Sequence, residues 1–351
     1  MLHRWCVHLH RSCQESARNA ERISLLPFSY EYYNRQMNKN RYHSLNTFFR
    51  NTFGEKVFKL SLAGGFTCPV RDGKLGSSGC SFCNPDGNIP YHYEYGMSIE
   101  EQLEKASGFV RKRHGATAFL AYFQDYTTTY GDPVKLETMY RKALDFPGVR
   151  GLALCTRPDC LPESVLNILE AISKDRFVWV ELGIQSSCDA TLTRMRRGHT
   201  VYDSEKAFDR LHSRGIRTSA HVILGFPGES REEALATTGF IRRTGTSGVK
   251  IQNLHILRET PLAEQYRNGE IQLLRRSEYA SLAADFLERL NPETVIQRLT
   301  GEAPPGLLVA PEWCINKLAA LNRVKRELLY RDSWQGKALG ASIEDIPSLN
   351  S

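Results

Sequence analysis

The chain has 351 residues, of which 41% are apolar and 24% charged, with a formal net charge of +7. That length suits one large α/β core, no apolar run approaches the ~18 residues of a membrane span, and nine cysteines with one close pair argue against a disulfide framework. The protein is therefore expected in a reducing, cytoplasmic setting, with no membrane partner; its basicity admits a polyanionic partner or simply a solvated mixed-charge surface.

Residues 1–36 show no apolar core, helical period or cleavage-type signal. They are expected to form a poorly ordered extension, with a natural translation start at Met37. From Val57 onward, short apolar runs alternate with helical patterns: Val57 to Leu62, Ala118 to Phe123, Gly151 to Cys155, Phe177 to Ile184, Arg217 to Leu224 and Val249 to Leu257. Between them, Ser98 with Glu101 and Ser230 with Glu233 read as capping boxes, while Gly115 and Gly215 mark helix ends. Six such units call for a parallel sheet covered by helices.

Strand faces narrow the choice, because side chains alternate with period two. Val178, Val180, Leu182 and Ile184 suit packing under helices, whereas Trp179, Glu181, Gly183 and Gln185 share the other face. On the next strand Ala220, Val222 and Leu224 oppose Ser219, His221 and Ile223. Polar groups on one face favour a barrel lumen over a flat sheet buried on both sides. The expected fold is α/β, a partial (β/α)6 TIM-type barrel over residues 37–257. Residues 258–351 are expected to form a helical C-terminal extension packed on it, through Ser277 to Leu290 and Trp313 to Tyr330.

Cys68 follows the first strand, with Cys80 and Cys83 after gaps of eleven and two intervening residues. Three thiols at the catalytic rim of a barrel suit a cluster with one unligated iron, or a Cys3His zinc site completed by His92. A four-iron cluster on three cysteines leaves a metal position open to a small molecule.

These cysteines, with Glu181-Leu-Gly-Ile-Gln185 and His221-Val-Ile-Leu-Gly225-Phe-Pro-Gly228-Glu229, resemble the radical S-adenosylmethionine (SAM) superfamily, in particular the branch related to the elongator catalytic subunit. Members commonly space the cysteines Cys-x3-Cys-x2-Cys, but one bacterial subfamily has the longer Cys-x11-Cys-x2-Cys found here. Gly65-Phe-Thr-Cys68-Pro-x-Arg71-Asp72-Gly73, Gly198-His199, Leu254-His255, Arg298-Leu-Thr-Gly301, Ala310-Pro311, Asn316-Lys317 and Gln335-Gly336-Lys337 extend that likeness over residues 40–337.

The resemblance implies a [4Fe-4S] cluster on Cys68, Cys80 and Cys83, with SAM chelated at the open iron. Reductive cleavage would then give a 5′-deoxyadenosyl radical that abstracts hydrogen from substrate, fed by an electron donor such as flavodoxin or ferredoxin. It also implies exposed, low-pKa thiolates and a tRNA substrate at a modified wobble uridine, such as 5-carboxymethylaminomethyluridine. Gln124 replaces the usual Gly-Gly-Glu-like contact to the SAM amine, Glu181 and Gln185 are candidates for its ribose and carboxylate, and His221 and Gly225 for its adenine. Arg157 pairs either with an anionic group of SAM or substrate, or with Glu181. Arg194 to His199, Arg242-Arg243, Arg275-Arg276 and Arg323 to Arg326 are candidate RNA guides or solvated faces.

Overall fold

The computed structural model describes residues 40–349 except 85, 86, 88, 89, 91, 92, 304 and 305. The expected N-terminal extension, Met37 and His92 lie outside the described residues. Helix α1 (Leu45–Phe53) leads into β1 (Val57–Leu62), followed by α2 (Ile99–His114), β2 (Ala118–Phe123), α3 (Pro133–Asp145), β3 (Val149–Thr156), α4 (Glu163–Ser173) and β4 (Phe177–Gln185). Next come α5 (Asp189–Arg194), α6 (Val201–His212), β5 (Arg217–Leu224), α7 (Arg231–Arg243), β6 (Gly248–Asn253) and β7 (Ile256–Leu257). The chain continues through α8 (Pro261–Arg267), α9 (Arg276–Glu288), β8 (Val295–Arg298), β9 (Leu308–Ala310) and α10 (Lys317–Tyr330).

Local chemistry sets these boundaries. Both expected capping boxes form: the Ser98 and Ser230 hydroxyls accept from the backbone three residues on, and Glu101 and Glu233 reach back. Gly115 closes α2 at φ 63°, a left-handed conformation that favours glycine.

The main open sheet has the order β1-β2-β3-β4-β5-β6-β8, with every neighbouring pair parallel, and β7 pairs antiparallel with β9 in a separate two-stranded sheet. The partial barrel is as expected, but it has seven strands rather than six. The seventh, β8, comes from the segment expected to be helical; its four residues are too short to show a period. Strands β1 and β8 remain unpaired with each other and leave a seam. Near the bottom the backbone spans it, where His43 O accepts from Ile296 N at 2.8 Å and Ser44 bridges Ile296, and higher up Lys59 Nζ donates across it to Gln297 Oε1 at 2.7 Å.

The lumen is layered because each strand contributes every second residue. The lowest layer is an apolar plug of Val57, Leu120, Trp179 and Val295 against Phe49 of α1. Trp179 is fully buried, with the Phe48 ring centroid 5.1 Å away. Gly248 is required here, since a Cβ on it would lie 2.7 Å from the indole. Outside the sheet, alternate residues such as Val178, Val180 and Leu182 pack under the helices.

Since the plug has no other large residue at its centre, Trp179→Ala is expected to cost about 3–5 kcal/mol. Chemical denaturation of the variant beside the parent checks this, and a loss below about 1 kcal/mol would show that the plug does not close the barrel.

Candidate functional site

One turn of side chains above the plug, the lumen becomes polar. Glu181 of β4 is fully buried. Its Oε2 accepts from His221 Nε2 of β5 at 2.7 Å, Tyr122 Oη of β2 at 3.0 Å, Lys250 Nζ of β6 at 3.1 Å and Cys155 Sγ of β3 at 3.3 Å. Lys59 of β1 pairs with Oε1. Burial alone would raise the Glu181 pKa, but Lys250, Lys59 and the His221 hydrogen bond hold it well below the usual carboxylate range.

The same environment neutralises its neighbours. Burial, then the Lys250 charge, lowers His221 to about 3, while burial and Glu181 push the Cys155 thiol up to about 12. Among the described residues, Cys155, Glu181 and His221 are the Cys/His/acid triad whose ligand atoms lie mutually within 4.8 Å. Two ammonium groups already compensate the carboxylate there, which disfavours a further cation.

The second centre is the loop after β1. Cys68, Val70 and Cys80 form a small buried cluster with Cys83, Phe82 and Tyr126 packed against it. Three guanidinium groups brace it. Arg71 Nη2 donates to Cys83 O and Asn84 O, both at 3.1 Å, and lies over the Tyr126 ring. Arg197 donates from Nη1 to Cys80 Sγ at 3.1 Å and from Nη2 to Gly183 O at 2.7 Å. The charge of Arg157 is coupled to Cys68 and Cys80.

A cluster on three thiolates is net anionic, so thiols gathered among three cations fit it. Arg157 Nη1 and Arg197 Nε are buried without a hydrogen-bond partner, as polar atoms awaiting an anionic group would be. The expectation of exposed, low-pKa thiolates needs correction. Cys68 and Cys80 are buried, and burial together with the Cys80 charge raises Cys83 despite Arg71 and Arg197.

The remaining candidates divide between these centres. Arg157 does not pair with Glu181: it makes a two-bond contact to Asp159, at 2.8 and 2.9 Å. Gln185 ends β4 at φ 70°, a left-handed conformation costly for a side-chain-bearing residue. Gly183 gives the Gln185 amide and Arg197 room, since a Cβ there would meet Gln185 Nε2 at 2.8 Å. Gln124 immediately follows β2, and Gly225 at φ 94° follows β5 beside a cavity of about 320 Å³ lined partly by Phe226, Glu229 and Leu274.

The structure also reveals residues absent from the expected set. Lys59, Tyr122 and Lys250 join the Glu181 centre; their period-two placement on β1, β2 and β6 was the available signal. Arg197, read as part of a surface run, is buried on the thiol loop. Most other basic stretches carry acidic partners: Arg243 pairs with Glu205, Arg275 with Glu278 and Arg323 with Glu327.

One buried and two half-buried histidines are depressed: His199 to about 2, His221 to about 3 and His255 to about 4, each chiefly by desolvation and then by neighbouring cations. In the unfolded chain they take protons near pH 6.5. Between that value and their folded values, the unfolded state binds more protons, so stability falls as pH falls. Melting temperature is expected to hold above pH 7 and drop progressively from about pH 6.5 toward 4. A flat profile across that window in buffered thermal melts would contradict the assignment.

Comparison with known proteins is consistent with this geometry. A family model described as "Radical SAM superfamily" matches residues 75–241, and one described as "Radical_SAM C-terminal domain" matches 246–330. YtqA of Bacillus subtilis is 34% identical over 299 residues, 85% of this chain and 93% of that protein. YhcC of Escherichia coli K12 is 36% identical over 82% of this chain and 92% of its own length. A tRNA uridine(34) acetyltransferase of Methanocaldococcus infernus is 30% identical over 46% of this chain, which spans only 30% of that enzyme. In three dimensions, Elp3 of the same archaeon superposes with a TM-score of 0.63 at 18% identity, covering 80% of this chain and 64% of the other. No helix among the described residues is long and apolar enough to cross a membrane.

Proposed function

Because the chain belongs to the radical SAM superfamily, an enzyme family whose cofactors are a [4Fe-4S] cluster and SAM, we propose that Cys68, Cys80 and Cys83 hold the cluster and that the substrate is a wobble uridine of tRNA. When bound, the cluster supplies the electron that breaks the SAM sulfonium and so the radical that removes a substrate hydrogen.

The observation that carries the ligand assignment is the gathering of these three thiols among Arg71, Arg157 and Arg197. Arg71 holds the loop carbonyls in place, and Arg197 ties Cys80 to the rim of β4. Gln185, with its unusual backbone conformation at the end of β4, and Gln124, directly after β2, are assigned to the polar end of SAM. Arg157, with one nitrogen unpartnered, is placed to meet a carboxylate. His221 and Gly225 are assigned to the adenine side. Glu181 is assigned a positioning role: with its oxygens occupied by five side chains, it orients His221 rather than contacting SAM itself.

Support for the substrate comes from the partial match to enzymes named for uridine 34 of tRNA. A flavodoxin or ferredoxin would serve as electron donor.

Purified without oxygen, the protein is expected to be brown with about four irons per chain. Cys68→Ala, Cys80→Ala and Cys83→Ala should each reduce that content severely while the helical circular dichroism persists. A colourless protein with stoichiometric zinc would overturn the ligand assignment. The substrate is tested separately by mass spectrometry of tRNA nucleosides from a strain lacking the gene: a wobble uridine stalled at a precursor is expected, and an unchanged profile removes the tRNA reading.

A further inference from the structure

Charge in the lumen does not balance. Glu181 is the sole carboxylate among the described residues that pairs with a lumen cation, yet Lys59, Lys250 and Arg298 all face inward. Arg298 reaches this side through a bulge. In the β6–β8 pairing Val249 aligns with Ile296 but Lys250 aligns with Arg298, leaving Gln297 as the extra residue. The bulge turns two consecutive side chains to the same face: Gln297 Oε1 accepts from Lys59 Nζ at 2.7 Å, and Arg298 donates to Gln252 of β6. The Arg298 charge is felt by Lys250, His221 and His255.

Each of these groups keeps unused capacity. Arg298 Nε, Gln297 Nε2 and His255 Nδ1 are buried with no hydrogen-bond partner. Gly301 closes in beside them, where a Cβ would lie 3.2 Å from His255 Cε1. Two of these cations, Lys59 and Arg298, line a cavity of about 490 Å³ at the seam between β1 and β8, whose other charged lining residues are Lys56 and Lys317, with no carboxylate. Lys317 has Glu302 at 3.3 Å, outside that lining, and the other three have no acidic partner there except Glu181 behind Lys59. Uncompensated charge at low dielectric is unfavourable, and an incoming anion would relieve it.

We infer that the seam cavity forms a subsite for one anionic group of the substrate, a carboxylate or a phosphate, held by Arg298 and Lys59 at the cavity wall with the Lys250 charge beside Arg298. Arg298 offers a directional nitrogen fork and the two lysines offer point charge. The inference deepens the proposed function and rests on it for the statement that the occupant is substrate: a carboxylate would belong to the side chain of a modified uridine, and a phosphate to the nucleotide backbone.

The test uses the iron-loaded protein saturated with SAM, in chloride-free buffer, titrated separately with acetate and with inorganic phosphate and followed by thermal shift. Saturable stabilisation by at least one of them is expected, weakened at least tenfold in Arg298→Gln and unchanged in Arg243→Gln on the exposed face of α7. Saturation by acetate alone assigns a carboxylate, and by phosphate alone a nucleotide phosphate. Should Arg298→Gln lose its iron or its fold, Lys59→Met at the cavity wall gives the same reading. No saturation by either anion, or equal saturation in the variants, overturns the subsite. Because neither titration contains tRNA, failure of the subsite is distinguishable from failure of the wobble-uridine reading, which the nucleoside profile decides alone.

Discussion

One carboxylate is contacted from five other strands. Lys59, Tyr122, Cys155, His221 and Lys250 come from β1, β2, β3, β5 and β6, and all end on the two oxygens of Glu181 in β4. A half-barrel lacks the closure that holds a complete barrel in shape, so inward-facing contacts must fix the relative tilt of its strands. Hydrogen bonds to a buried charge are among the stronger ones a protein makes. Removing the carboxylate would leave two buried ammonium groups without their counter-ion, which is why such a centre tolerates little change. The plug below and the thiol loop above both depend on strand positions that this centre sets.

Much of the architecture was legible in the sequence. The first five apolar runs correspond to β1 to β5 within two residues, and both capping boxes formed. Period two on β4 and β5 divided helix-facing from lumen-facing residues, because strands long enough to alternate several times leave a clear pattern. Strand β8 failed that condition, with four residues and a bulge that breaks alternation. Lys59 and Lys250 were passed over for a different reason: a lysine in an apolar run looks like a solvent-facing interruption until the partner on a neighbouring strand is known.

Several motif residues that carried the family resemblance do structural work. Gln335 is fully buried and ties His43 N, Asn291 O and Thr294 O together, joining the start of the described chain to the approach to β8. Asn316 caps α10. Asn253 donates to Cys314 and accepts from Gly301 N. Motif membership alone does not separate ligand-binding residues from those that hold the frame. The partners found in the structure do, and by that measure the motif residue Arg71 stands with the thiols, as does Arg197 from the basic stretch Arg194 to His199.

The bulge at Gln297 makes the seam strand sensitive to parity rather than to length. Along a regular strand, a side chain's facing is decided by counting from a neighbour in twos. With one residue supernumerary, Arg298 faces the lumen only because the count before it is odd by one. Regular pairing with Gln297 retained would set Gln297 opposite Lys250 and turn Arg298 outward, whereas loss of Gln297 would leave Arg298 opposite Lys250 and remove only the amide that meets Lys59. The bulge itself is therefore part of the lumen's chemistry, because it lets one short strand contribute both an amide and a guanidinium to the same face.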